Sequence, residues 1–348
     1  GIEATSGAGH VLLSYDWVSI LPRDRTRISS IVGQQLLPAG MKPQCGLLSK
    51  GDERTTMTGY LADDSTASAP LPSLSPQPGR GPLDKKRIRI QHLQAAKEQG
   101  VRISMLTAYD ALTASIFDRA GIDMILVGDS LGNVVLGYSS TLPVTLDDME
   151  RATAAVARAA SRALIVADLP FGTYEASPEQ AFASAARLMK AGAHAVKLEG
   201  GAARAETVAL LAGGGIPVVA HLGYTPQSEN SLGGPRMQGR GEGAKKLMED
   251  ARALEAAGAF AVVFEMVPEP VATQLTKELS VITIGIGAGP HTDGQVLVWS
   301  DMAGMTSWSP SFARRFAELG RELESAASSY ISAVRSGEFP GSDNYRSE

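Results

Sequence analysis

From residue 83 onward, short apolar runs alternate with Ala-rich segments whose apolar positions recur every three or four residues. The runs predict strands at 103–107, 124–128, 164–167, 195–198, 218–221, 261–265, 281–286 and 296–299. The amphipathic segments predict helices at 87–98, 110–120, 146–160, 178–191, 204–211, 244–257 and 269–277. Short buried strands with intervening helices over about 220 residues read as an α/β chain folded into a (β/α)8 barrel, with an open doubly wound sheet as the rival. The phrases do not recur at one fixed spacing, so the pattern is alternation and not a solenoid.

Several runs end on an acid. AGIDMILVGD, AGAHAVKLE and AGAFAVVFE finish on Asp129, Glu199 and Glu265, and ALIVADLP carries Asp168 in the same place. In a parallel α/β fold, strand C-termini converge on one rim, where such enzymes keep a metal and a general base. Asp129, with Ser130 beside it and Gly128 allowing close backbone approach, and Asp168 are two carboxylates from separate strands, a set that suits Mg²⁺ with water and substrate oxygens completing its shell. The competing reading is that each Asp only caps the helix that follows. Lys197 and Glu199 are two apart, so on a strand both face one side, the lumen of a barrel. A lumen lysine either bridges an acid or meets a substrate carboxylate, while Glu199 binds metal directly or through water; a purely structural ion pair is the alternative. Glu265 follows the apolar run AFAVVF, surroundings that suit a general base working near neutrality. His221 ends PVVAHLG on the same rim and is an accessory candidate, or else a satisfied structural histidine. GIGAG at 285–289 is not a dinucleotide fingerprint but could present N–H groups to an anion, and GGPRMQGRG at 233–241 reads as a loop beside the mouth.

Composition narrows the function. With 348 residues, 44% of them hydrophobic, the chain can bury a full-sized core. A formal charge of −5 argues against a surface built for nucleic acid or anionic membranes and points to small-molecule partners. A single cysteine, Cys45, excludes an intramolecular disulfide and fits a cytoplasmic setting. No apolar run approaches the roughly 20 residues of a membrane helix. The stretch at 10–21 is interrupted by Asp16 and preceded by Glu3, so it does not read as an export signal. Residues 1–82 lack periodicity and become rich in Ser, Pro, Ala and Gly after Asp64, which predicts a disordered or non-native extension, with a regulatory segment as the alternative. The expected organisation is this extension, a barrel at 83–340 and a short tail at 341–348.

The motifs TAYD, VGDS, STLPVT, ADLPF, KLEGG, HLGYTPQS, QGRG, IGIGAG and DGQVLVW, in that order, closely resemble the ketopantoate hydroxymethyltransferase family from about Lys86 to Pro340. The tail GSDNYRSE departs from the acidic, histidine-containing ending usual in that family. The resemblance implies a barrel of the phosphoenolpyruvate/pyruvate type, assembled as a homo-oligomer, commonly a decamer. It implies transfer of a one-carbon unit from 5,10-methylenetetrahydrofolate to 3-methyl-2-oxobutanoate, giving 2-dehydropantoate for pantothenate synthesis through a Mg²⁺-stabilised enolate. By motif match, Asp129, Asp168 and Glu199 are the expected magnesium site. Ser130 and Lys197, with the two aspartates, are the expected oxoacid-binding set, and Glu265 is the expected proton acceptor. The rivals are a Mg²⁺-dependent carbon-carbon lyase acting on a 2-oxoacid and a catalytically silent barrel scaffold. Such lyases need a loop cysteine or an equivalent acid, and 83–340 contains no cysteine, while a silent scaffold would not be expected to keep every site acid.

Overall fold

The structure, a computed structural model, describes residues 81–347, so the expectation for the first 80 residues lies outside the described part. Gly81 and Pro82, assigned by composition to the extension, instead form a 3₁₀ turn with the buried Leu83.

Eight parallel strands close into a barrel in sequence order. They are β1 (Ile103–Thr107), β2 (Met124–Val127), β3 (Leu164–Asp168), β4 (Ala195–Glu199), β5 (Val218–Gly223), β6 (Ala261–Glu265), β7 (Ile282–Ile286) and β8 (Gly294–Leu297). β8 pairs back onto β1 through Met105 and Val296, which removes both sheet edges and excludes the open-sheet alternative.

Strand parity divides the core. Met105, Met124, Leu126, Leu164, Val166, Ala195, Val219, Ala261, Val263 and Ile284 fill the lumen. Their neighbours Ile125, Val127, Ile165, Val196, Val218, Val262 and Phe264 face outward against helix residues such as Val156, Leu188 and Leu254. Both faces of β2 to β6 are therefore largely apolar, as a parallel sheet under helices requires, while β1 and β8 turn Ser104 and Gln295 outward to solvent. Leu83, Ile88, Leu93 and Ala96 join the lumen cluster, so the first helix, Ile90–Glu98, and the turn before it close the N-terminal end of the barrel.

The helices start and stop on local signals. Asp110 accepts the Thr113 N–H at the start of Ala111–Ala120, and Thr145 and Asp148 cap Leu146–Ala159 reciprocally. Gly121 and Gly192 end two helices in the left-handed conformation. Two features depart from simple alternation. No helix lies between β7 and β8, where the connection 287–293 turns back directly, and Asp293 anchors it by accepting the Thr283 N–H at 2.8 Å and pairing with Lys97 at 2.7 Å. A helix outside the expected set, Leu319–Ser336, contains no buried residue and exposes Leu323, Tyr330, Ile331 and Val334.

Candidate active site

The lumen parity does not stop where the apolar residues end. Continuing along β3 it reaches Asp168 after Leu164 and Val166, and along β4 it reaches Lys197 and Glu199 after Ala195. Along β5 it reaches His221 after Val219, and along β6 Glu265 after Ala261 and Val263. The register sets Asp168 beside Lys197, Glu199 beside His221, and Gly223 beside Glu265. Apolar packing thus fills the lower lumen, and the same side of each strand turns ionisable at its C-terminal end.

A cavity of about 250 Å³ opens there, lined by Asp129, Ser130, Asp168, Lys197, Glu199, His221 and Glu265. Every residue singled out on the rim reaches it. Lys197 is 4% exposed and lies 3.1 Å from Asp168 Oδ1. Its ammonium also lies 3.3 Å from His221 Nδ1. His221 lies 3.3 Å from Glu199 Oε1 through Nδ1 and 3.2 Å from Glu265 Oε2 through Nε2, so it links two acids that the sequence reading treated separately. The Glu265 side chain therefore meets an imidazole; of the apolar run that precedes it, Val263 lines the same cavity while Val262 and Phe264 pack outward against the helices. Asp129 leaves the strand after Gly128, and its N–H donates to Asp168 Oδ2 at 3.0 Å. A Cβ on Gly128 would come within 2.9 Å of Ser130 Oγ, which explains the glycine. Ser130 Oγ in turn shares a 2.9 Å hydrogen bond with the Tyr109 hydroxyl.

Burial and charge set the protonation tendencies. Burial pushes the Asp168 carboxyl up to about 6, with Lys197 pulling down and Asp129 pushing further up. Burial, then the Glu199 charge, raises Asp129 against the opposing pull of Lys197 and Gln227. Burial alone would lower Lys197, but Asp168, Glu199 and Asp129 hold it above its ordinary value. Burial and Lys197 likewise disfavour a charged His221, yet its contacts with Glu199 and Glu265 bring it to about 9.

The donor set fits a hard divalent cation. Five carboxylates line the cavity, Glu229 beside Asp129, Asp168, Glu199 and Glu265, against one lysine and one histidine, which leaves negative charge uncompensated when all are ionised. Asp168 Oδ1 and Glu199 Oε1 are buried with only the ion-pair contacts to Lys197 and His221 and no aligned hydrogen bond, which leaves each with lone pairs to offer a hard cation in place of water. Among the described residues no three His, Cys, Asp or Glu side chains are already gathered into a cage. The fit is therefore to a cation held by one or two carboxylates, with water and substrate oxygens supplying the rest.

Two residues of the site escaped the sequence reading. Gln227, in a 3₁₀ turn after β5, bonds to both Asp129 and Glu199, and the buried Tyr174 bonds to Gln227 at 2.5 Å. Gln227 lies inside the HLGYTPQS motif and Tyr174 three residues after ADLPF, yet neither is an acid or base at the end of an apolar strand, the signal that marked the others. The glycine segments divide. Ile286 lines the main cavity, while Gly287 and Gly289 border a separate depression with Arg102 and Arg314. The 233–241 loop sits beside the mouth, with the Gln238 N–H on Met266 O at 2.9 Å.

Comparison with known proteins places this geometry. The family model described as ketopantoate hydroxymethyltransferase matches residues 87–342. The 3-methyl-2-oxobutanoate hydroxymethyltransferase of Leifsonia xyli is 55% identical over 276 residues, covering 79% of this chain and 99% of that protein. The protein of the same name from Thermobifida fusca is 58% identical over 257 residues, covering 73% of this chain and 92% of its own length. Among solved structures, a phosphonopyruvate hydrolase in complex with oxalate and Mg²⁺ superposes with a TM-score of 0.50 at 14% identity, over 74% of this chain and 93% of the other, a likeness of fold alone.

Proposed function

The chain belongs to the ketopantoate hydroxymethyltransferase family, and from that premise we propose how its rim residues carry out the transfer of a hydroxymethyl group from 5,10-methylenetetrahydrofolate to 3-methyl-2-oxobutanoate, forming 2-dehydropantoate for pantothenate synthesis. The observation that carries the reading is the cavity in which Asp129 after β2, Asp168 of β3, Lys197 of β4 and Glu265 of β6 come together.

Asp129 and Asp168 would hold Mg²⁺, with Glu199 reaching it directly or through water. The cation, when bound, supplies Lewis-acid polarisation of the ketone next to the acid to be deprotonated. Lys197, fixed against Asp168, offers its ammonium to the oxoacid's carboxylate, and Ser130, held by Tyr109, donates its hydroxyl to the same substrate. Glu265 takes the proton from C3 of the oxoacid. The one-carbon unit is bonded to two folate nitrogens: one carbon–nitrogen bond opens to make the carbon electrophilic, and the electron pair released at C3 forms the new carbon–carbon bond. The second carbon–nitrogen bond breaks as water supplies the hydroxyl oxygen, the proton from C3 and the one released by water ending on the two folate nitrogens. Glu265 lies at the open end of β6 with its carboxylate against His221, so the proton it receives has a polar neighbour and is not stranded among alkyl groups.

Self-association is part of the proposal. The helix Leu319–Ser336 presents an apolar face with nothing buried, which a second copy of the chain would cover. Among the described residues no helix is long and apolar enough to cross a membrane, and the small polar substrates fit an enzyme of the cytoplasm.

The test is direct. Incubation of the protein with both substrates and Mg²⁺, followed by mass spectrometry, should give 2-dehydropantoate that disappears with EDTA and in Glu265→Gln. A folded, metal-loaded protein that forms none of it would overturn the reading.

A further inference from the structure

We propose that Gln227 is the positioning residue of the cation site, its side-chain amide and its backbone N–H together orienting Asp129 and Glu199 toward one point. Gln227 is 5% exposed, and each of its polar groups toward the site is engaged. Nε2 donates to Asp129 Oδ2 at 2.9 Å and to the Leu169 carbonyl at 2.9 Å. Oε1 accepts from the Tyr174 hydroxyl at 2.5 Å, and the backbone N–H donates to Glu199 Oε2 at 3.0 Å. Tyr174 closes the circuit by accepting the Glu199 N–H at 3.3 Å. One amide thus connects the ends of β2, β3 and β4.

The orientation of that amide is determined by chemistry. A carbonyl oxygen such as that of Leu169 can only accept, so the NH₂ must point to it and to Asp129, and the amide oxygen must point to Tyr174. A flipped amide would set three acceptors against one another. With Asp129 Oδ2 and Glu199 Oε2 both engaged by Gln227, the carboxylate atoms that carry no hydrogen bond from it are Asp129 Oδ1 and Glu199 Oε1, the second of which is buried with only its 3.3 Å ion-pair contact to His221 Nδ1. Partners that orient ligating carboxylates commonly change metal affinity about 10- to 100-fold when removed.

The inference rests on the divalent-cation reading of these carboxylates, and the test separates the two. Mn²⁺ alone is the probe, titrated into EDTA-stripped full-length protein with and without 3-methyl-2-oxobutanoate, free Mn²⁺ being counted by electron paramagnetic resonance. The wild type should bind, and Gln227→Met, similar in volume but without donors, should bind at least about tenfold more weakly. Tyr174→Phe, which removes one anchor of the amide, should fall between the two. Gln227→Glu is the decisive variant. It adds negative charge beside the site but turns an acceptor toward Asp129 and Leu169, so positioning predicts weaker Mn²⁺ binding, whereas mere charge accumulation predicts tighter binding. Wild-type protein that binds no Mn²⁺ in either arm overturns the cation reading and this inference with it. Folded Gln227 variants that bind Mn²⁺ as well as the wild type, or better, overturn the inference alone. If Gln227→Met does not fold, by circular dichroism and thermal melting, Gln227→Glu and Tyr174→Phe decide the matter.

Discussion

Glu265 Oε2 lies 3.2 Å from His221 Nε2, and the opposite nitrogen of the same ring lies 3.3 Å from Glu199 Oε1, so one imidazole stands between the proposed base and a proposed cation ligand. Separate carboxylates allow the two roles to be separated by mutation. Glu265→Gln keeps size and hydrogen bonding but cannot take a proton, so turnover should fall by about 10² to 10⁴-fold. Mn²⁺ binding should stay near the wild-type value, because Asp129, Asp168 and Glu199 are untouched. Steady-state kinetics beside a Mn²⁺ titration checks this; near-normal turnover would remove Glu265 from the mechanism.

The backbone holding Glu265 is as specific as its side chain. Gly223 has φ +98°, and a Cβ there would lie 2.1 Å from the Glu265 carbonyl oxygen, which also accepts the Tyr224 N–H at 2.8 Å. Met266, next after Glu265, adopts φ +49°, a conformation that costs a residue with a side chain about 1–2 kcal/mol. Gly223→Ala should push β5 and β6 apart at Glu265. A misplacement of about 1 Å can cost roughly 10²-fold in rate. A drop in turnover of that order in a protein that still melts cooperatively is the expected result, and unchanged kinetics would mean that the base tolerates displacement.

Lys197 and Asp168 form a pair buried on both sides, with side-chain exposures of 5% and 3%. Removing one partner leaves the other charge without compensation, and breaking such a pair costs about 3–5 kcal/mol. Lys197→Met should therefore lower stability by that order in urea unfolding and raise the KM for the oxoacid. Adding Asp168→Asn should restore part of the stability but none of the activity. A double variant no more stable than the single one would show that the two residues are not energetically coupled.

The positions of β2 to β6 were legible because both of their faces are buried, and a continuous apolar run bounded by polar residues survives any change of neighbour. β1 and β6 match their expected limits, and the others shift by a few residues. The acids were legible for a related reason: an ionisable residue at the end of such a run has nowhere to go but the rim. The helix Leu319–Ser336 follows the last strand and was passed over although Leu319, Leu323, Tyr330, Ile331 and Val334 recur at helical spacing; it lies outside the strand–helix alternation that marked the rest, and it buries none of its residues. The missing helix between β7 and β8 left only a glycine-rich segment, which reads equally as an anion loop or a tight return. Gln227 and Tyr174 were invisible because an amide and a phenol gain their role from three-dimensional hydrogen bonding, which has no period along the sequence.

His194 offers a stability test away from the rim. It precedes β4, and its Nδ1 accepts the Ile165 N–H at 3.0 Å, which requires that nitrogen to be unprotonated. Burial, with the charges of Arg87 and Arg89, holds its pKa below the ordinary histidine value. A histidine depressed in the folded state stabilises the fold fully above its unfolded pKa, about 6.5, and loses that contribution as pH falls through the lower folded value. His194→Asn preserves an acceptor for Ile165 but does not titrate. The wild type should therefore lose stability relative to this variant between pH 7.5 and pH 5, read as converging or crossing urea midpoints. Other contributions in this window, the Asp168 carboxyl at about 6 and the unfolded-state titration of His221 among them, are common to both proteins and largely cancel in the difference. Parallel curves across the whole interval would show that protonating His194 costs the fold nothing.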